Sequence, residues 1–252
     1  MSVRRVIVFY SLICLFNSCI DATDVKVGVF IHAPLVQQVT NTSPPTGPTI
    51  DYITAMIREM GFSPVISVLP YQRVMSGLKS GEIDMTLEIG KLAERETFLY
   101  FSDKPVHHMK PSLTFLASNE LTTIHSIDDL RGMKIGYLVS AFKANFFDNA
   151  PSDIIFDLIN SDTWVRQNLE KLLAGRIDAA FDQNAVSYLD EAKKLGVAHK
   201  IKTISLPGEG TEGYVVFSKK STNGKILLDA FNKVAATGKY DENKMIDDYM
   251  NR

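Results

Sequence analysis

The chain has 252 residues, 45% of them hydrophobic and 22% charged, so it can bury one large core or two smaller ones. A formal net charge of −2 excludes a strongly basic nucleic-acid binder, and the apolar content excludes a disordered polyelectrolyte. No apolar run is long or central enough for a multi-span membrane protein.

The N-terminus reads as a targeting segment over residues 1–22. Arg4 and Arg5 form a basic start, Val6 to Phe16 is apolar except for Ser11, and small and polar residues lead to Ala22. Cleavage after Ala22 is the expectation, with a retained anchor as the alternative. Cys19 also raises a lipoprotein signal, although Phe16-Asn17-Ser18 before it is a weak match to such a motif. Cys14 and Cys19 are the chain's only cysteines, so cleavage leaves no disulfide, no cysteine metal site and no cysteine nucleophile.

Strands and helices then alternate. Val25 to Ile31 reads as a strand, Thr40 to Pro48 as a loop, and Ile50, Ile53, Met56, Ile57 and Met60 mark a helix stopped by Gly61. Ser63 to Val68 is a strand, Tyr71 to Leu78 a helix ending near Gly81, and Ile83 to Leu87 a strand. Pro111 to Ala117 opens a second series. Ser126 and Asp129 cap a short turn, Met133 to Leu138 is a strand, and Ser140 to Asp148 reads as helical. Strands at Asp153 to Ile159 and Ile177 to Phe181 alternate with helices at Thr163 to Ala174 and Val186 to Leu195. The strand Tyr214 to Ser218 and helices at Gly224 to Ala236 and Asp241 to Met250 complete the chain. This alternation predicts an α/β fold with mainly parallel sheets in two lobes, and a ligand cleft where strand carboxyl ends face each other.

Six segments in order, GPTIDYITAMIREMG, PYQRVMSGLKSGEIDM, ERETFLYFSDKP, IDDLRGMKIGYL, LEKLLAGRIDAAFDQ and GYVVFSKK, make residues 24–252 resemble the bacterial extracellular solute-binding proteins of family 3. These are periplasmic receptors of polar amino-acid ABC transporters. The resemblance implies a periplasmic-binding-protein-like fold, with two α/β lobes joined by two crossing strands. Lobe 1 would comprise 24–112 plus 207–252, and lobe 2 residues 113–206. It further implies a periplasmic, monomeric receptor that takes a small carboxylate-bearing solute, closes on it by hinge motion and hands it to a membrane permease.

The resemblance also assigns candidate contacts. Arg95 precedes Phe101-Ser102-Asp103 at the family's spacing for the arginine that forks onto the ligand carboxylate. Tyr71 occupies a ligand-stacking aromatic position, and Phe30, ending the first strand near His32, another. Glu88 stands where strand-end residues reach a ligand amine, with a surface pair to Lys91 as the alternative; the family's hydroxyl position falls on Lys91 or Leu92. Ser140 and Phe142 replace a Gly-Thr-Thr-like turn, Ser140 reading equally as a plain helix cap. The ammonium-binding aspartate corresponds to Gln183, or to Asp182 after a one-residue slip. Trp164 would lie at the cleft edge. His107-His108 has no metal-pair spacing, so no metal and no cofactor are expected. No nucleic-acid partner is expected. The competing readings are a periplasmic sensory module for a membrane signalling protein and, less favoured, an exported dehydratase with Glu88 or Asp182 as acid.

Overall fold

The computed structural model describes residues 23–40, 42–139, 145–161, 163–208 and 210–252. The targeting segment 1–22 lies outside them. Among the described residues no helix is long and apolar enough to cross a membrane.

The first sheet is built from β1 (Asp24–Val29), β2 (Ser63–Val68), β3 (Met85–Ile89), β4 (Leu99–Phe101), β5 (His107–Met109) and β11 (Thr211–Ser218). The order is β2-β1-β3-β11-β4, with β5 pairing to the start of β11. Three helices, α1 (Pro48–Glu59), α6 (Gly224–Ala235) and α7 (Glu242–Met250), pack together on this part of the chain. The predicted apolar stripe of α1 supplies Ile50, Ile53, Met56 and Ile57 to a core shared with Val27, Phe217 and Phe231. The other face is covered by α2 (Tyr71–Ser80), through Val74 and Leu78. Gly81 ends α2 with φ 88, a left-handed position that glycine adopts without strain.

The second sheet has the order β10-β6-β9-β7-β8: Ile201–Ser205, Ser112–Leu116, Ala179–Asp182, Lys134–Leu138 and Ile155–Ile159. Tyr137, Phe147 and Phe181 fill one side; Leu169, Leu172 and Tyr188, from α4 (Trp164–Leu173) and α5 (Val186–Lys194), fill the other. A four-residue helix α3 (Ala93–Glu96) completes the set of α-helices among the described residues.

The two sheets share one construction detail. In Gly81-Glu82-Ile83-Asp84, the Asp84 carboxylate accepts from the Lys26 N–H at 2.7 Å, and the Asp84 N–H donates back to the Lys26 carbonyl at 2.9 Å. In Gly175-Arg176-Ile177-Asp178, Asp178 does the same with Lys134, at 2.7 and 2.8 Å. Each aspartate therefore staples the entry of one strand to the start of its parallel neighbour.

At the outer edge of the second sheet, the Asp157 carboxylate sits between Lys134 at 2.8 Å and Lys171 at 2.5 Å. Hydrogen bonds from Lys134, then Lys171, hold this carboxyl below its ordinary value of 3.8. A carboxyl lowered on folding stabilises above its unfolded pKa and loses that contribution as pH falls through the lower folded value. Asp157→Asn is expected to cost below about 1 kcal/mol at neutral pH, as for a partly exposed pair, and the deficit should begin to shrink as pH falls past ~3.8 and vanish only below the lower folded value. Urea unfolding of both proteins across pH 2.5–7 checks this; a deficit that persists in acid contradicts it.

Several expectations need adjustment. The sheets are mixed, not mainly parallel: β11 runs antiparallel to β3, β4 and β5, and β6 antiparallel to β9 and β10. The predicted strand at 83–87 is displaced to Met85–Ile89, because Ile83 packs on Gly77 and Gly28 while Asp84 makes the staple. The Ser126 turn is as expected, a single 3-10 turn, Ile127–Leu130, with Ser126 as N-cap and the Asp129 carboxylate accepting from the N–H of His125 and Ser126. Of the expected helix at 140–148, residues 140–144 lie outside the described set and Asn145–Phe147 form a 3-10 turn.

The chain leaves the first sheet after β5 and returns with β11, so two segments cross between the sheets. They are bonded to each other, Leu206 N–H to the Pro111 carbonyl at 2.8 Å. Gly210 lies so close that a Cβ would stand 2.4 Å from the Met109 carbonyl oxygen, which demands glycine there.

Candidate functional site

The carboxyl ends of β1, β3, β7 and β9 open onto one cleft of about 1800 Å³ between the two sheets. That is where α/β sheets place ligands. Residues of both sheets line it, among them Phe30, Tyr71, Arg95, Trp164, Asp182 and Tyr214.

Three of the sequence candidates form one unit on the first-sheet wall. Arg95 Nη1 donates to the Gly90 carbonyl at 2.8 Å, and Nη2 to the Tyr71 hydroxyl at 3.0 Å. These bonds use two of five guanidinium N–H donors and fix the plane of the group. Each terminal nitrogen carries a second hydrogen, which suits a carboxylate approached in parallel. The Tyr71 ring meets Phe30 edge-on, centroids 5.3 Å apart. Phe30 comes from the end of β1, Tyr71 from the first turn of α2 and Arg95 from α3, so three separate segments converge.

Lys91 borders the cleft, but its ammonium pairs with Glu96 at 3.3 Å, both groups about half exposed. Glu88 is not its partner. A register shift between Tyr214 and Val216 marks a bulge where β3 faces β11, and Glu88 has φ 60, a sparsely populated region for a residue with a side chain. The backbone turn carries Glu88 away from the surface: it is 8% exposed, with Thr49 Oγ1 at 3.3 Å and His107 Nδ1 at 3.4 Å. Thr49 in turn donates to Glu242 Oε1 at 2.8 Å. Burial, and then the charge of Glu88, hold the Glu242 carboxyl well above the usual range.

On the second-sheet wall, Asp182 ends β9 and is 3% exposed. Its Oδ1 faces His32 Nε2 of the first wall at 3.8 Å. Burial pushes the His32 pKa down, but the Asp182 hydrogen bond and charge, with help from Glu88, outweigh it and leave the imidazole above 6.5. Asp182 thus already faces an imidazole from the opposite wall. Gln183 is half-buried and lines the cleft beside it, so the structure brings both alternatives to the cavity. Asn184 follows, its amide 2.8 Å from His107 Nε2.

Ser140 and Phe142 lie outside the described residues. Trp164 does line the cleft, and it meets the buried Tyr188 edge-on at 5.7 Å. Sequence reasoning missed Tyr214, whose hydroxyl donates to Glu212 at 2.6 Å and whose ring meets Phe101 at 5.8 Å. The available signal was its place at the head of the GYVVFS strand, opposite the end of β3. His107 and His108 point to opposite faces of β5, one buried and one exposed.

Among solved structures, an ancestral arginine-binding protein bound to glutamine is 18% identical, covers 91% of this chain and 98% of its own, and gives a TM-score of 0.68. The amino acid ABC transporter substrate-binding protein AbpA from Streptococcus pneumoniae, bound to L-arginine, is 19% identical over 90% of this chain and 94% of its own, with a TM-score of 0.67. Substrate binding domain 2 of Lactococcus lactis GlnP, in the open conformation, is 20% identical over 92% and 96%, with a TM-score of 0.63. At these identities the likeness is one of fold. Among curated proteins, none matches the sequence at a significant level. Residues 25–250 match the family described as bacterial extracellular solute-binding proteins, family 3, and the chain belongs to that family.

Proposed function

We propose that the chain is the receptor of an ABC importer, capturing a small carboxylate-bearing solute, most simply a polar amino acid, in the cleft. The observation that carries this reading is the Arg95 guanidinium, oriented by Gly90 and Tyr71, with hydrogens still directed for a carboxylate. The relatives in whose structures L-arginine or glutamine is bound support the class of solute. Phe30, Tyr71 and Tyr214 would cover the apolar part of the solute, and Asp182 or Gln183 would receive its amino end. Ser140 and Phe142 remain candidates from the sequence, and Lys91 borders the cleft.

The cleft, at about 1800 Å³, exceeds the 300–1,000 Å³ range of small-molecule pockets. Full desolvation of an amino acid therefore needs the walls to approach, with 24–112 plus 207–252 moving against 113–206. The crossing segments are the natural place for that rotation. Export through residues 1–22 and action as a periplasmic monomer complete the reading, with an ABC permease as partner.

The test is a thermal-shift screen of the purified protein against amino acids, dicarboxylates, polyamines and aromatic acids. A ligand that binds only the folded state at a hundred times its Kd adds about 2.7 kcal/mol. Stabilisation by α-amino acids supports the reading. Stabilisation only by solutes without a carboxylate overturns it.

A further inference from the structure

We propose that Glu88, His107 and Glu242 form a buried site for one divalent transition-metal ion of the zinc class, beneath the cleft floor. The three residues come from β3, β5 and the first turn of α7, and their candidate ligand atoms all lie within 4.8 Å of one another. All three are buried, at 8%, 2% and 1% exposure.

Two buried atoms of these side chains have no hydrogen-bond partner: His107 Nδ1 and Glu242 Oε2. Native interiors seldom leave such atoms unmet without a ligand or a functional reason. The Thr49 hydroxyl lies 2.8 Å from Glu242 Oε1 and 3.3 Å from Glu88 Oε1, and its single hydrogen serves one carboxylate at a time. Among the described residues no lysine or arginine forms an ion pair with Glu88 or Glu242. Two buried carboxyl groups and an imidazole make a nitrogen-and-oxygen donor set of the kind that holds a divalent ion.

The geometry agrees. Zinc bonds of ~2.0–2.1 Å at tetrahedral angles separate neighbouring donors by about 3.3 Å. Glu88 Oε1 and His107 Nδ1 are already 3.4 Å apart. The imidazole nitrogen selects zinc, copper, nickel or iron over magnesium and calcium, which take oxygen ligands. Glu88 borders the cleft, which gives the ion a way in.

The far nitrogen of His107 is held too. Asn184 Nδ2 lies 2.8 Å from His107 Nε2; for Nδ1 to ligate, Nε2 must carry the proton and the Asn184 amide must turn over to present its carbonyl oxygen. Asn184 belongs to the second sheet's side of the cleft, immediately beyond Asp182. An ion at Nδ1 would therefore set the orientation of a histidine that bonds across the two halves. No sequence motif announces this: the ligands are separated by 19 and 135 positions, and of the adjacent His107-His108 pair only His107 is on the buried face of β5.

The experiment uses untagged protein stripped with a chelator, then titrated with Zn²⁺ by calorimetry and assayed for bound metal by mass spectrometry. One zinc per chain is expected, with Glu242→Gln and His107→Gln each weakening it by at least 10-fold, and Asn184→Ala by a similar factor. His108→Gln, on the exposed face of β5, should leave binding unchanged. Should a buried variant fail to fold by circular dichroism, the wild type decides alone. Co²⁺ added to it should give the intense visible bands of a four- or five-coordinate nitrogen and oxygen site. No stoichiometric zinc in the wild type, only the weak bands of hydrated Co²⁺, or equal zinc uptake by folded Glu242→Gln would overturn the proposal.

Discussion

Arg95→Ala is expected to weaken capture of a carboxylate-bearing solute by about 30-fold to several thousand-fold, corresponding to about 2–5 kcal/mol for removing one partner of a desolvated, hydrogen-bonded charge pair. The reasoning starts from the guanidinium itself. Gly90 and Tyr71 hold it in one plane, so little ordering remains when the solute arrives. Arg95→Lys keeps the charge but loses the parallel donors and both supports, and should recover only part of the affinity. The unliganded protein should lose only about 1 kcal/mol in either variant, because Arg95 is half-buried and its bonds are on the cleft wall. Calorimetric titration with the best solute from the screen, alongside urea unfolding, separates the two effects. Equal affinity in wild type and Arg95→Ala would remove the carboxylate from the account.

Phe181→Ala should produce the largest loss of stability, about 3–5 kcal/mol for truncating a fully buried aromatic ring. Phe181 lies in β9, at the centre of the second sheet, and is 1% exposed. It stacks on Tyr137 at 4.8 Å with an interplanar angle of 9°, and Phe147 meets it edge-on at 5.4 Å. The cavity left by its removal would be bounded by two rings that are themselves anchored in the same core. The next residue is Asp182, so slack in β9 reaches the cleft wall directly. Urea unfolding followed by near-ultraviolet circular dichroism measures the loss. A cost under about 1 kcal/mol would mean that the second core collapses around the gap at little expense, contrary to close packing.

The parts of the fold that were legible in the sequence are those where one periodicity dominates. Ser63–Val68 is the strand expected, and α1 follows its apolar spacing to within two residues of the predicted ends. β4 and β5, three residues each, are too short to carry a pattern, and His107-His108-Met109 is a strand only because β11 offers an edge. β10 buries Ile201 and Ile204, a spacing that does not alternate, so its pairing with β6 was hidden. The antiparallel strands that make the sheets mixed are mostly those next to the crossings, where tertiary connection overrides local preference.

The site divides in the same way. Arg95, Tyr71 and Phe30 were legible because each sits at a recognisable place in a motif, and the structure brings them together. The burial of Glu88 beside Thr49 and His107 was hidden, because the register shift opposite β11 and the φ of 60 at Glu88 leave no mark in composition. His32 opposite Asp182 was equally hidden, since residues 150 positions apart meet only after both sheets have formed.

The paired aspartate staples, Asp84 on Lys26 and Asp178 on Lys134, stand at the strand entries, while the cleft is built from the exits of the same strands. Upkeep of the scaffold and choice of cargo therefore reside at opposite ends of each strand. Residues at the exits can change without loosening the entries. Such a division of labour lets one architecture drift across many solutes, and relatives about one-fifth identical in sequence still superimpose on this chain over nine-tenths of its length.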